Sequence, residues 1–259
     1  MIIQNETSEH LWAICTNHDD TNASLCINKV DKGKYKKGYA YCFGCSYTCQ
    51  FSEKAVDAMS NKKSICRKRV PVDWHKLCRS FIKRIQEVSI RLSDDWLISI
   101  SVLKSFMIGW DGEAYTFPMF DEERNTVGIQ RRFTDNSKRC VSGSQLGLFL
   151  ADWNVTTTKG VVVCEGLSDA AIATHLGYCG IGKPSAGFGE DLVRKYLQNI
   201  KYDGDIIIVQ DNDSAGRRSR VKLQMCLTDF NTRFVVPTTD LKDFYLKNGR
   251  NNTKALLRM

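Results

Sequence analysis

Apolar positions follow three regimes along the chain. Over 72–101 they recur at helical spacing. Trp74, Leu77, Cys78, Phe81, Ile82, Ile85 and Val88 share one face at 3.6 residues per turn, which predicts helix. From 102 to 158 aromatic and β-branched residues dominate, and "EAYTFPMFDEERNTVGIQRRFT" sets two such runs around an acidic turn, predicting a hairpin. From Gly160 short apolar runs alternate with amphipathic stretches. "GVVVCEG", "YCGIGK", "DIIIVQ" and "TRFVVP" read as strands, while "SDAAIATHLG", "GEDLVRKYLQNI" and "SAGRRSRVKLQMCLTDF" read as helices. Such alternation predicts an α/β fold with a parallel sheet flanked by helices. Residues 59–71 lack any apolar period, and "SNKKSICRKRVP" reads as a basic linker, so the expected units are 1–58, 72–158 and 159–259.

Two of the predicted strands end in acid. "VVVCEG" presents Glu165, and "IIIVQDND" presents Asp211 and Asp213. In an open parallel sheet, ligands gather beyond the carboxyl ends of the strands. Residues i and i+2 of extended backbone point the same way, so Asp211 and Asp213 can share a face that Glu165 meets from a neighbouring strand. Like charges this close repel, and a hard divalent cation with oxygen ligands, Mg²⁺ or Mn²⁺, would neutralise them. Asp169, four residues after Glu165, either joins the cluster or caps the following helix with Ser168; a supporting role is favoured. An Asx-rich turn ahead of a helix would also explain "DND" taken alone.

The amino-terminal stretch carries different chemistry. Cys15-x2-His18 and Cys42-x2-Cys45 are two pairs with the spacing of a closed tetrahedral site, which points to structural Zn²⁺. "ASLCINKV" and "KGYAYCF" between them read as strands of a zinc ribbon. Cys49, four residues beyond Cys45 at the longer x3 spacing, is the second choice of ligand, and buried thiols acting as small hydrophobes are the plain alternative. Eleven cysteines in a chain without a secretory leader favour metal ligation over disulfides.

Charge adds less. The formal net charge of +8 permits a polyanionic partner but equally serves solubility. "VGIQRRFTDNSKRCVSG" groups Gln130, Arg131, Arg132, Lys138 and Arg139 on a predicted hairpin. They could clamp triphosphate or template phosphates, or simply be solvated. Lys62, Lys63, Arg67, Lys68 and Arg69 of the linker read as solvated. No apolar stretch approaches the ~18 residues of a membrane helix, and the start lacks the basic and apolar regions of a signal peptide. The expected location is the cytoplasm, with no membrane partner.

Together these motifs resemble a known family. "CTNHDDTNASLCI" with "YAYCFGC" resembles the CHC2-type zinc ribbon of bacterial and phage DNA primases. "VVVCEGLSDA" and "IIIVQDNDSAG" resemble the Glu-Gly and Asp-x-Asp motifs of a Toprim domain. "DLKDFYLKNG" resembles the later Lys-Asp motif, marking Lys242 and Asp243, and "GIQRRFTDNSKRCVSG" resembles the basic motif of the primase polymerase core. The resemblance to DnaG-type primases implies a DNA-dependent RNA polymerase making short RNA primers on single-stranded DNA from ribonucleoside triphosphates by two-metal nucleotidyl transfer. It implies catalytic metals on Glu165, Asp211 and Asp213, and phosphates or template on Gln130, Arg131, Arg132, Lys138, Lys242 and Asp243. It also implies zinc on Cys15, His18, Cys42 and Cys45. Trp12, Tyr39 and Phe43 are candidates for base stacking or for core.

The chain departs from the family after "CFGC", where "SYTCQF" replaces a Gly-rich turn with an Asp. It ends soon after the last Toprim motif, so either a separate replicative helicase is expected as a partner or the protein works without one. A compact form of this kind resembles phage enzymes, and the cytoplasm would then be that of a bacterial host. Two rival readings use the same residues: a Toprim-family nuclease, and a non-catalytic zinc-ribbon and Toprim DNA-binding module.

Overall fold

A computed structural model describes residues 2–17, 23–60, 72–152, 159–185 and 187–258. The chain divides into two compact units, Met1–Pro71 and Val72–Met259.

The first unit is an antiparallel meander of five strands in chain order: β1 (Ile3–Glu6), β2 (His10–Ala13), β3 (Leu25–Asn28), β4 (Tyr39–Cys42) and β5 (Thr48–Gln50). Period-2 alternation turns Leu11, Ala13, Leu25, Ile27, Ala40 and Cys42 inward, against Val56 of helix α1 (Glu53–Ser60). Such a small core stabilises a unit of this size only weakly without a further staple. Residues 25–28 and 39–42 are the strands read from "ASLCINKV" and "KGYAYCF". The divergent "SYTCQF" forms the edge strand β5. The linker cations fall at 61–71, outside the described residues.

The second unit opens with α2 (Trp74–Ile82), α3 (Ser89–Trp96) and α4 (Ile100–Ser105). The helical period over 72–101 is cut into pieces. A 3₁₀ turn at Ile85–Glu87 breaks it, and Leu97 adopts left-handed φ 51° to end α3. Helix also runs past 101, where strand was expected. Val102 and Leu103 are buried on α4, and this burial overrides the weak strand preference of Ile and Val. A four-stranded antiparallel sheet follows: β6 (Gly109–Trp110), β7 (Tyr115–Phe120), β8 (Thr126–Arg132) and β9 (Lys138–Cys140). Strands β7 and β8 are the predicted hairpin, with Tyr115 opposite Arg132 and Phe120 opposite Thr126.

The second sheet of this unit contains β10 (Phe149–Leu150), β11 (Val161–Glu165), β12 (Cys179–Lys183), β13 (Ile206–Val209) and β14 (Thr232–Val235), in the order β10-β12-β11-β13-β14. All pairings are parallel except β10 on β12. Helices α5 (Leu167–His175), α6 (Glu190–Asn199), α7 (Ser214–Cys226) and α8 (Leu241–Leu256) complete it. Strands β11 and β13 are apolar at consecutive positions because both faces are covered. Val162, Cys164, Ile207 and Val209 enter one core, and Val161, Val163, Ile206 and Ile208 the other. Each fully buried side chain of this kind contributes about 1.5–3 kcal/mol. The two sheets meet where Phe120 and Leu148 exchange backbone hydrogen bonds of 2.8 Å in both directions.

Candidate active site and metal centre

Strands β11 and β13 run parallel and adjacent, so their carboxyl ends open on the same edge of the sheet. Glu165 is the last residue of β11, half-buried, and Gly166 at φ 85° turns the chain into α5. Asp211 lies just beyond β13, also half-buried. Asp213 caps α7, its Oδ1 accepting from the Gly216 amide at 2.6 Å. Capping uses one oxygen of a carboxylate that has further acceptor sites, so it is compatible with ligation. Gly216 is required here, because a Cβ would sit 2.2 Å from the Asp211 carbonyl oxygen.

The electrostatics are those of crowded acids. Burial, then repulsion from Glu165, Asp240 and Asp213, pushes the Asp211 carboxyl up to about 6. Burial raises Glu165 as well, against the opposing pull of Lys183 and the Ser219 hydroxyl. Glu165 Oε1 is buried with no hydrogen-bond donor in reach among the described residues. An orphaned oxygen on a carboxylate that repels, and is repelled by, its acidic neighbours is what a bound hard cation would satisfy. The acids do not form a closed cage. Among the described residues, the only group of three or more His, Cys, Asp or Glu ligand atoms lying within 4.8 Å of one another is Cys15, Cys42 and Cys45. An open carboxylate set suits an ion that keeps water or phosphate oxygens in its shell.

Asp169 is buried behind this edge. Its Oδ1 accepts from the Lys242 amide at 2.8 Å, which ties α5 to the start of α8. Burial, with repulsion from Asp240, holds it well above the usual carboxylate range. Asp240 is an acid of this cluster that sequence reading missed. It caps α8 through the Asp243 amide at 2.7 Å and acts on both Asp169 and Asp211. Its letters are those of an ordinary helix cap, and the available signal was its place two residues before Lys242. Lys242 and Asp243 pair with each other at 3.0 Å.

The basic residues divide by strand face. Arg132 stands opposite Lys138, and Arg131 opposite Arg139, across β8 and β9. The Arg132–Lys138 face looks to the acids. Surrounding protein and the Arg132 charge push the Lys138 ammonium below the usual lysine range, while Asp169 and Asp240 pull it back. Arg132 also donates to Asn136 at 3.0 Å. Gln130 shares that face and is buried. Arg131 points the other way. Its guanidinium pairs with Asp111 at 2.6 Å and Glu113 at 2.8 Å. The adjacent arginines are therefore not brought together as one clamp.

In the first unit, Cys15 Sγ lies 3.9 Å from Cys45 Sγ, and Cys42 completes the trio. The Asn17 amide donates to Cys15 Sγ at 3.4 Å and the Gly44 amide to Cys42 Sγ at 3.3 Å. Each x2 turn thus aims a backbone N–H at its own sulfur, the outer hydrogen bond that steadies a metal-bound thiolate. Burial first, then the neighbouring Cys42 and Cys45 sulfurs, push the Cys15 thiol up to about 11 against the pull of the Asn17 amide, a cost that a cation would offset. The expected fourth ligand, His18, lies outside the described residues. Cys49 is half-buried in β5 and is not one of the trio. Phe43, exposed, stacks on Trp12 with ring centroids 5.7 Å apart and meets Tyr41 edge-on at 5.1 Å. Tyr39, the remaining stacking candidate, instead packs beside Tyr35 at 4.6 Å.

A mixed α/β unit with acids at its parallel strand ends, an adjoining antiparallel sheet carrying cations, and a separate cysteine ribbon matches the fold of DNA primase catalytic cores. The DnaG primase catalytic domain bound to ssDNA is similar at TM-score 0.55 and 16% identity, over 71% of this chain and 76% of that one. The zinc-binding and RNA polymerase domains of Aquifex aeolicus primase are similar at TM-score 0.54 and 14% identity, over 98% of this chain and 79% of that one. In sequence, a DNA primase of Campylobacter jejuni is 29% identical over 126 residues, 44% of this chain. The match spans only 20% of that relative's length. No family model matches the chain. Among the described residues, no helix is long and apolar enough to cross a membrane.

Proposed function

We propose that the protein is a DNA primase, joining ribonucleotides into short RNA primers on single-stranded DNA. The observation that carries this reading is the meeting of two opposed charge sets in one unit. Glu165, Asp211, Asp213 and Asp240 gather at the strand ends of a Toprim-like sheet, and Lys138 acts on Asp211 from the neighbouring sheet. A nucleoside triphosphate with its divalent cations complements both.

In this reading Glu165, Asp211 and Asp213 hold Mg²⁺ or Mn²⁺. When bound, these ions polarise the reacting phosphoryl group and neutralise the departing pyrophosphate. Arg132 and Lys138 stand directly opposite each other, an arrangement that repels unless an anion lies between them. They bind the triphosphate and fix its approach. Gln130 on the same face donates to nucleotide or template. Lys242 and Asp243 sit at the rim, where Asp169 holds the α8 start in place. In this reading Glu165 also aids removal of the proton from the attacking 3′-hydroxyl. Arg131 is assigned to structure.

The ribbon has the donor set of a structural zinc site in Cys15, Cys42 and Cys45, with His18 as the proposed fourth ligand. Its exposed Phe43, backed by Trp12, offers a surface on which template bases stack. A replicative helicase is a separate partner in this reading, and the protein works in the cytoplasm.

The test is template-directed synthesis. Purified protein is mixed with single-stranded DNA of mixed sequence, labelled ribonucleotides and Mg²⁺ or Mn²⁺, with Asp211→Ala in parallel. Short labelled oligomers from the wild type alone are expected. Shortened template without oligomers would replace primase by nuclease, and full activity in Asp211→Ala would remove the metal assignment.

A further inference from the structure

We propose that Lys183 and Ser219 form a buried relay that orients Glu165 for its metal, making both of them positioning residues of the acid site. This rests on the metal-site reading above.

Lys183 ends β12 and is fully buried. It is the register partner of Glu165 on the adjacent strand, and its carbonyl accepts from the Gly166 amide at 2.7 Å. Its ammonium donates to Glu190 Oε1 at 2.7 Å and to Ser219 Oγ at 2.8 Å, and both partners are buried. Stability gives no reason to bury this ion pair, since apolar side chains of similar volume stabilise a core at least as well. Its placement does give a reason.

An ammonium only donates. The Ser219 oxygen therefore accepts on the side facing Lys183, and its single proton is turned elsewhere. Glu165 lines the same small cavity as Lys183 and Ser219, on the strand face it shares with its register partner Lys183, and the Ser219 hydroxyl acts to lower its carboxyl. In the relay, that proton is the one offered to the neighbouring Glu165 carboxyl. The chain Glu190–Lys183–Ser219–Glu165 crosses from α6 through β12 and α7 to the end of β11. Ser219 lies on the same helix that Asp213 caps and that Gly216 brings against Asp211. In the relay one buried cation steadies Glu165 through Ser219, while Glu165 Oε1 has no hydrogen-bond partner among the described residues and is left for the ion. Outer-shell hydrogen bonds of this kind commonly govern metal affinity.

The experiment measures Mn²⁺ binding to the full chain by the loss of the free-ion paramagnetic resonance signal, alongside primer synthesis titrated with Mn²⁺. The variants are Ser219→Ala, Ser219→Thr, Lys183→Met with Glu190→Gln, and Asp211→Ala. Ser219→Ala and the double variant are expected to weaken Mn²⁺ binding by roughly ten-fold. Half-maximal synthesis should move to higher Mn²⁺ by the same factor, with unchanged circular dichroism in chelator. Ser219→Thr, which keeps the hydroxyl, is expected to restore affinity. Mn²⁺ affinity within two-fold of wild type in Ser219→Ala would overturn the relay, and that variant decides if the double variant fails to fold. Wild type that binds Mn²⁺ no better than Asp211→Ala would overturn the metal site and the relay with it. Wild type that binds Mn²⁺ but makes no RNA would overturn only the primase reading, and the binding data would still decide the relay.

Discussion

Asp211→Asn should make the metal-free protein more stable while abolishing its chemistry. Asp211 is half-buried among acids, and its carboxyl is raised from the ordinary 3.8 to about 6. At about 1.4 kcal/mol per pH unit, ionised Asp211 costs the native state about 3 kcal/mol at neutral pH. Partial exposure to solvent lowers the recoverable part to about 1–2 kcal/mol. The sign follows from linkage. As pH rises through 3.8 the unfolded chain ionises first, so stability falls until the folded group ionises near 6 and then levels off. By pH ~4 the folded group is neutral and the unfolded one is losing its charge, so the amide gains little. The assay is urea unfolding in chelator at pH 7.5 and pH 4, followed by a signal from the second unit. The variant should lead by about 1–2 kcal/mol at the higher pH and by nearly nothing at the lower. Saturating Mg²⁺ should stabilise the wild type and leave the variant unmoved, since a ligand that binds only the native state adds to its stability. A variant less stable than wild type at pH 7.5, or an equal gain at both pH values, would refute the reasoning.

Two further predictions concern residues the sequence grouped together. Cys42→Ser should lower zinc content below one ion per chain by metal analysis and unfold the first unit, because its small core depends on the ion; unchanged zinc content would sink the ligand set. Lys138→Ala should lower kcat/KM for ribonucleotide by about 10- to 100-fold with little change in stability. Arg131→Ala should instead cost about 1–2 kcal/mol of stability through its lost pairs with Asp111 and Glu113, with kcat/KM nearly unchanged. The reverse pattern would exchange their roles.

Much of this was readable from local spacing. Glu165, Asp211 and Asp213 stand where apolar runs stop, and a parallel sheet puts such stops on one edge. Cys15, Cys42 and Cys45 are set by x2 turns that fix geometry within a few residues. What escaped depends on distant chain. Asp240 is a plain helix cap until α8 docks beside Asp169. Lys183 closes the strand predicted from "YCGIGK" with nothing local to mark it, and only the approach of α6 and α7 buries it. Helix α8 was not read because Gly249, at φ 77° and ψ 176°, interrupts its pattern. Arg131 and Arg132 looked like one clamp because they are neighbours in sequence. The period of two in β8 separates them, and that was available from the letters alone.

The seam at Phe120 and Leu148 has a mechanical consequence. Residues 148–150 hydrogen-bond to the end of β7 and then, as β10, to β12. The sheet that carries Lys138 and the sheet that carries Glu165 are therefore stitched by backbone, with no swivel of loose chain at that edge. Neither can rock far from the other without tearing paired amides. The gap between cations and acids then behaves as a gauge of fixed width. In the proposed primase, adjustment to successive bases would fall to the side chains that line the gap.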